Sequence, residues 1–252
     1  MNRKESGKIA KLEGHTFENS VCVYLSELLN DDFFVDGHSD TKVDIRNESD
    51  SFRFSVKNPK NRHTQVSLIT QKNFIEYFNI TDDNLKLFIK SFFGGDEFSE
   101  YSRHRLTKSN ITEELNQLFL SFLNMNSEKL FDLILTKGYK QRNTVNYLLW
   151  TQVKNSVNDL ICVDLESFKT EFIATGKWIQ NETTFHFMSN GKKLLHLQMF
   201  GSGEKYKSGY HSLQFQLYNS FDNKYVRQLN EDRKSTRLNS SHIPLSRMPS
   251  SA

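Results

Sequence analysis

Glu18, Asp44, Ser55 and Lys57 have the types and the order needed to work on a phosphate ester. Asp44 lies in the alternating run Lys42-Val43-Asp44-Ile45-Arg46, and Lys57 closes a second alternating run, Ser51 to Lys57. Between them Asn47-Glu48-Ser49-Asp50 supplies turn chemistry. Two short runs joined this way predict a hairpin, which brings Asp44 and Lys57 onto adjacent antiparallel strands. Alternation puts Ser55 and Lys57 on one face and Phe54 and Val56 on the other. A carboxylate, a hydroxyl and an ammonium then share one sheet surface. Phosphodiester hydrolysis uses this mixture. Carboxylates hold a divalent cation, which neutralises charge developing on the phosphate and activates a water. Mg²⁺ is usually held by few carboxylates, with substrate oxygens and water completing its shell. A neighbouring lysine orients or deprotonates the water, or stabilises the anionic transition state. Singly, each residue has an ordinary reading: a turn carboxylate, a strand-end lysine, a helix-face glutamate. Their joint order carries the chemistry.

The elements that must position these groups follow from periodicity. Residues 14–30 predict a helix with the stripe Phe17, Val21, Tyr24, Leu25, Leu28. Phe33 to Asp36 predicts a short strand closed by Gly37, and Asn58-Pro59 ends the strand that carries Lys57. A helix from about Ser67 to Phe78 is expected next. From Asp82 to Phe172 the pattern predicts mainly helix, in Leu85–Phe93, Leu115–Leu123, Leu130–Leu135 and Tyr147–Val157. After Thr175-Gly176 come short strand candidates: Trp178–Ile179, Thr184–Met188, Leu194–Phe200 and Ser212–Tyr218. Asn190-Gly191 between two of them is the strongest hairpin signal in the chain. The expected organisation is core motifs in 1–80, a mainly helical region in 81–174 that partly completes the core, and a β-rich lobe in 175–231.

The segments Gly14-His15-Thr16-Phe17-Glu18, Lys42-Val43-Asp44-Ile45 and Phe54-Ser55-Val56-Lys57-Asn58 resemble the PD-(D/E)XK nuclease superfamily, in its restriction-endonuclease-like branch. The resemblance covers roughly residues 10–80. It implies an α/β fold of α+β type: a restriction-endonuclease-like core with a mixed central sheet, followed by a helical region and a β-rich C-terminal lobe. It also implies a Mg²⁺-dependent endonuclease acting on double-stranded DNA, most like a type II restriction enzyme. Glu18 and Asp44 would be metal ligands, with Lys57 the catalytic lysine. Ser55 departs from the pattern, standing where the family usually has Glu or Asp. A serine cannot supply that charge; Glu18, or Glu76 on the following helix, could. Without such a carboxylate the chain would be a non-catalytic DNA-binding descendant. Palindromic sites suit two-fold symmetry, so the resemblance also favours a homodimer.

The run Asp232 to His242 resembles the translation of a sequencing adapter, and Ser246 to Ala252 fits that adapter's far end. Residues 232–252 are therefore set aside as non-native. The formal charge of +3 comes wholly from them, four Lys/Arg against one Asp, leaving 29 basic and 29 acidic side chains in residues 1–231. Evidence for a nucleic-acid partner must come from where charges sit. Lys60, Arg62, His63 and Gln65 follow the motif in an acid-free stretch, and read as a polar basic loop able to reach phosphates and base edges. Lys205 and Lys207 offer a second basic loop, interleaved with Tyr206, Tyr210, His211 and Gln214. No apolar run approaches membrane-spanning length, so no membrane is expected. Cys22 and Cys162 read as reduced, buried thiols of a cytoplasmic protein. His186 and His196 read as sheet histidines, and Trp150 and Trp178 as packing residues. There is no Gly-x-x-x-x-Gly-Lys, Gly-x-Ser-x-Gly or His-Glu-x-x-His signature.

Overall fold

The computed structural model describes residues 3–36, 42–58, 63–92, 113–140, 143–151, 153–181, 184–200, 212–218 and 226–228. The chain opens with α1, Arg3–Leu29. The apolar stripe lies in its second half. The earlier turns hold Arg, Lys, Glu, Ala and Leu, which favour helix without needing a partner. α1 buries Phe17, Val21, Tyr24 and Leu25, and its end is tied down where the Cys22 thiol donates to the Phe33 carbonyl at 3.0 Å.

Two sheets follow. The first is β1 (Phe33–Val35), β2 (Ile45–Asn47), β3 (Arg53–Lys57), β5 (Tyr147–Thr151), β6 (Leu160–Asp164) and β11 (Val226–Gln228), in the spatial order β1-β2-β3-β5-β6-β11. Only the β3–β5 pair is parallel, so the sheet is mixed. The second sheet is wholly antiparallel: β4 (His63–Thr70), β10 (Ser212–Tyr218), β9 (Lys192–Phe200), β8 (Thr184–Ser189) and β7 (Gly176–Asn181), in that order. The helices are α2 (Gln71–Phe78), α3 (Asp83–Phe92), α4 (Glu113–Met125), α5 (Ser127–Phe131) with a π-helical turn Asp132–Thr136, and α6 (Leu165–Thr175). The expected class is what the structure shows: an α/β core with a mixed sheet, a helical region and a β-rich C-terminal part.

The first sheet separates two apolar clusters. Phe54, Val56, Leu149 and Leu160 meet α1 on one side, while Leu148, Trp150, Ile161 and Val163 join the larger cluster of helices and second sheet on the other. This alternation explains a correction. Tyr147–Val157 was expected to be helical, but Leu148, Leu149 and Trp150 are buried on both faces of a central strand. A short continuous apolar run does not distinguish such a strand from a helix. β6 likewise lies inside the region expected to be helical.

A second correction concerns residues 63–70. The expected helix starts only at Gln71, where the Thr70 hydroxyl accepts from the Asn73 N–H at 3.2 Å and caps it. His63, Thr64 and Gln65 are strand rather than loop. Val66 and Ile69, three apart, imitated helical spacing. The register shifts opposite Phe215/Gln216, and that bulge lets both residues face the core. The second sheet thus takes an edge strand from before the helical region, and β11 returns to the first sheet, so the two are interleaved along the chain. The Asn190-Gly191 hairpin is present, with φ of 49° and 75° at those residues.

The π-helical turn is fastened by Asp132. Its carboxylate accepts from Thr136 at 3.0 Å and from Lys137 and Lys169 at 2.9 Å each, and Lys169 also pairs with Glu128 at 3.0 Å. Burial alone would raise the Asp132 pKa, but these donors outweigh it and hold the group below the usual aspartate value. A depressed folded-state pKa contributes stability above the unfolded value, lost as pH falls through the folded one. Asp132→Asn is therefore expected to cost about 1.5–3 kcal/mol at neutral pH, the range for hydrogen bonds to a charged group. In urea unfolding, that gap should close as pH drops below about 4. A pH-independent gap would contradict the assignment.

Both cysteines are free, Cys162 buried and Cys22 half-buried. Trp150 and Trp178 are fully buried, as packing residues should be. Among the described residues no helix is long and apolar enough to cross a membrane.

Candidate active site

Asp44 sits at the bend entering β2, and the ladder holds it from both sides. Its carbonyl accepts from the Asp36 N–H at 2.9 Å, and its N–H donates to the Phe54 carbonyl at 2.8 Å. With the backbone fixed, the side chain turns onto β3. Oδ2 accepts from the Ser55 hydroxyl at 3.0 Å, the Val56 N–H at 2.6 Å and the Lys57 ammonium at 3.3 Å. All three donors converge on one oxygen, leaving Oδ1 without a hydrogen bond from the described residues. Ser55 is buried, while Asp44 and Lys57 keep about a fifth to a quarter of their side chains exposed. The hairpin thus brings Asp44, Ser55 and Lys57 together, and Phe54 and Val56 turn to the α1 side.

Glu18 comes from α1. His15, one turn earlier, lies 3.1 Å from its Oε2 through Nδ1. Burial raises the Glu18 pKa most, the Asp44 charge raises it next, and His15 and Lys57 work in the other direction. Glu18 therefore feels the Asp44 charge, a repulsion that a divalent cation would remove. No group of three or more His, Cys, Asp or Glu suited to a metal occurs among the described residues. An ion here would take two carboxylates, with phosphate and water oxygens completing its shell.

Glu76, the alternative carboxylate, is engaged elsewhere. It lies half-exposed on α2, accepting from the Tyr139 hydroxyl at 3.0 Å and pairing with Lys72 at 3.8 Å. Glu18 lies in the field of Asp44 and Lys57. Gln65 lies on β4, where its Oε1 accepts from Gln214 at 2.6 Å. His63 opens the same strand. Lys60, Arg62, Lys205 and Lys207 fall outside the described residues.

Three features at the site had no assigned role in the sequence. The Lys42 ammonium is enclosed, although part of the residue still reaches solvent. It donates to the Val66 carbonyl at 2.7 Å and the Ile134 carbonyl at 2.5 Å. It therefore ties the segment entering Asp44 to the bulge of β4 and to the π-helical turn. Burial first, then the Lys57 charge, lowers its pKa to about 7, against the pull of Asp44. Gly138, at φ +68°, lies against the Lys42 stem, where a Cβ would come within 3.1 Å of Cγ. Beyond Lys57, Asn58 and Asn155 exchange hydrogen bonds of 2.6 and 3.0 Å, and Lys154 pairs with Glu13 of α1 at 3.3 Å. The turn after β5 thereby fastens the end of β3 and the helix carrying Glu18. The contact of His15 with Glu18 was open to inference from i, i+3 spacing. The long-range ties were not.

No family model matches the chain, and no curated protein matches it. Among solved structures, the chain is similar to the restriction endonuclease MspI in complex with its cognate DNA. The TM-score is 0.46 and the identity 14%, over 79% of this chain and 77% of that one.

Proposed function

We propose that the chain is a Mg²⁺-dependent endonuclease hydrolysing phosphodiester bonds of double-stranded DNA, of the restriction-endonuclease kind. The observation that carries this reading is the Asp44 carboxylate, its Oδ2 gripped by Ser55, the Val56 N–H and Lys57, its Oδ1 left over, and Glu18 close enough to feel its charge. Asp44 and Glu18 would hold the ion, which when bound supplies Lewis acidity to the phosphate and lowers the pKa of a water. Lys57 would orient the attacking water or donate to a non-bridging phosphate oxygen. Ser55 does not replace the acid of the family pattern. It positions Asp44, so the second negative charge falls to Glu18.

A plasmid cleavage assay tests this. The full chain should produce Mg²⁺-dependent fragments that EDTA suppresses. A folded chain that shifts duplex DNA in a gel but leaves plasmid intact would favour the non-catalytic reading, with two carboxylates insufficient. Neither cleavage nor binding would remove the proposal.

A further inference from the structure

The outer face of the second sheet carries an unusual set of side chains. Leu213, Phe215 and Leu217 of β10 face the core, so alternation turns Gln214 and Gln216 to the opposite face, where both are nevertheless buried, as is His186, and where Gln65 is exposed. β9 adds His196 and Gln198 to that face, β8 adds His186, and β4 adds Gln65 across from Gln216. No Asp or Glu occurs in any of the five strands, although acids make up 30 of the chain's 252 residues, and Lys177, Lys192 and Lys193 are present. A sheet face without a single carboxylate has no negative side chain to repel a polyanion.

The amides on it are also organised. Gln198 Nε2 donates to Gln214 Oε1 at 2.7 Å, and Gln214 Nε2 donates to Gln65 Oε1 at 2.6 Å. The ladder has a direction. Its β4 end presents the Nε2 donors of Gln65, which is exposed, and its β9 end presents the acceptor Oε1 of half-buried Gln198. Gln216 adds a buried Oε1 that none of the described residues satisfies. Hydrogen-bonded neighbours restrain each amide in place, which a side chain needs if it is to tell one base from another.

We propose that this face reads base edges of duplex DNA, with Gln65 as a specificity-determining residue. Its outward donors suit acceptor edges: purine N7, guanine O6 or thymine O4. Gln214 and Gln198 act as positioning residues that hold the Gln65 amide in place. β-strands are known to read bases in either groove. The face is fastened to the candidate active site, since Lys42, two residues before Asp44, holds the carbonyl of Val66, the neighbour of Gln65. The identity of the ligand rests on the nuclease reading. The polarity of the ladder does not.

The test is selection from a randomised duplex pool by the full-length Asp44→Asn chain, which should bind without cutting, beside the same chain with Gln65→Ala or Gln198→Ala added. The Asp44→Asn chain should enrich a defined sequence. Each added substitution should relax preference at one base pair by about tenfold, the scale of one lost base contact, while affinity for unselected duplex changes less than about twofold. A merely structural role would weaken both together. Unchanged preference in both double variants would overturn the proposal and leave the nuclease reading standing. A wild-type chain that cuts plasmid while its Asp44→Asn form enriches nothing would do the same. If the chain neither cuts nor binds, both fall.

Discussion

Asp44→Asn is expected to lower Mg²⁺-dependent plasmid cleavage by about a thousandfold or more while leaving the fold intact, the scale of losing a principal transition-state electrostatic group. Asparagine is the informative substitution because it keeps an oxygen acceptor at the position of Oδ2. The Val56 N–H and Ser55 hydroxyl retain a partner, avoiding a penalty of about 1–3 kcal/mol for an orphaned buried donor. What disappears is the charge, and with it the proposed ligand for a cation and the counter-ion of Lys57. Unfolding in urea should be nearly unchanged, and cleavage should be recorded beside it. Wild-type rates in the variant would remove Asp44 from the mechanism. Loss of both activity and stability would mean that Asp44 holds the hairpin together before it does any chemistry.

Gly176→Ala is expected to destabilise the protein by about 3 kcal/mol, the upper range of overpacking in a closed core. Gly176 ends α6 and begins β7, and a Cβ there would lie 2.0 Å from Phe187 Cζ and 2.5 Å from the Phe172 carbonyl oxygen. The ring cannot swing away cheaply. Phe187 stacks on Phe172 at 3.5 Å between centroids and meets Trp178 edge-on at 5.5 Å, and all three are fully buried. The φ of Gly176 is −96°, open to any residue, so the glycine is there for space. A lower urea midpoint would show the cost, and Phe187→Leu in the Gly176→Ala chain should recover part of it through coupling between touching residues. An unchanged midpoint would mean that β7 and Phe187 are not in contact.

Local pattern was a sound guide wherever a segment's neighbours were near in sequence. Asp44, Ser55 and Lys57 could be placed together because a hairpin is a local object, and alternation decides which side chains share a face. Asn190-Gly191 is the same case: left-handed φ at both residues makes one turn far more favourable than others. Pattern failed where a distant strand decided the outcome. Residues 63–70 became strand because β10, some 150 residues on, offers them a ladder, and Tyr147–Thr151 because β3 does. Short apolar runs carry no period of their own to resist such pairing.

The sequence by itself determined the chemistry available, namely which carboxylates, hydroxyl and lysine the chain owns and which of them one hairpin would bring together. Only the tertiary structure set the surroundings of Glu18 and Glu76. Those depend on how α1 packs across Phe54 and Val56, and on Tyr139 and Lys72 engaging Glu76. Lys42 shows the same division. Its place two residues before Asp44 is plain in the sequence, but its role comes from carbonyls released by a bulge and a π-helical turn, irregularities that exist only once the two sheets have packed.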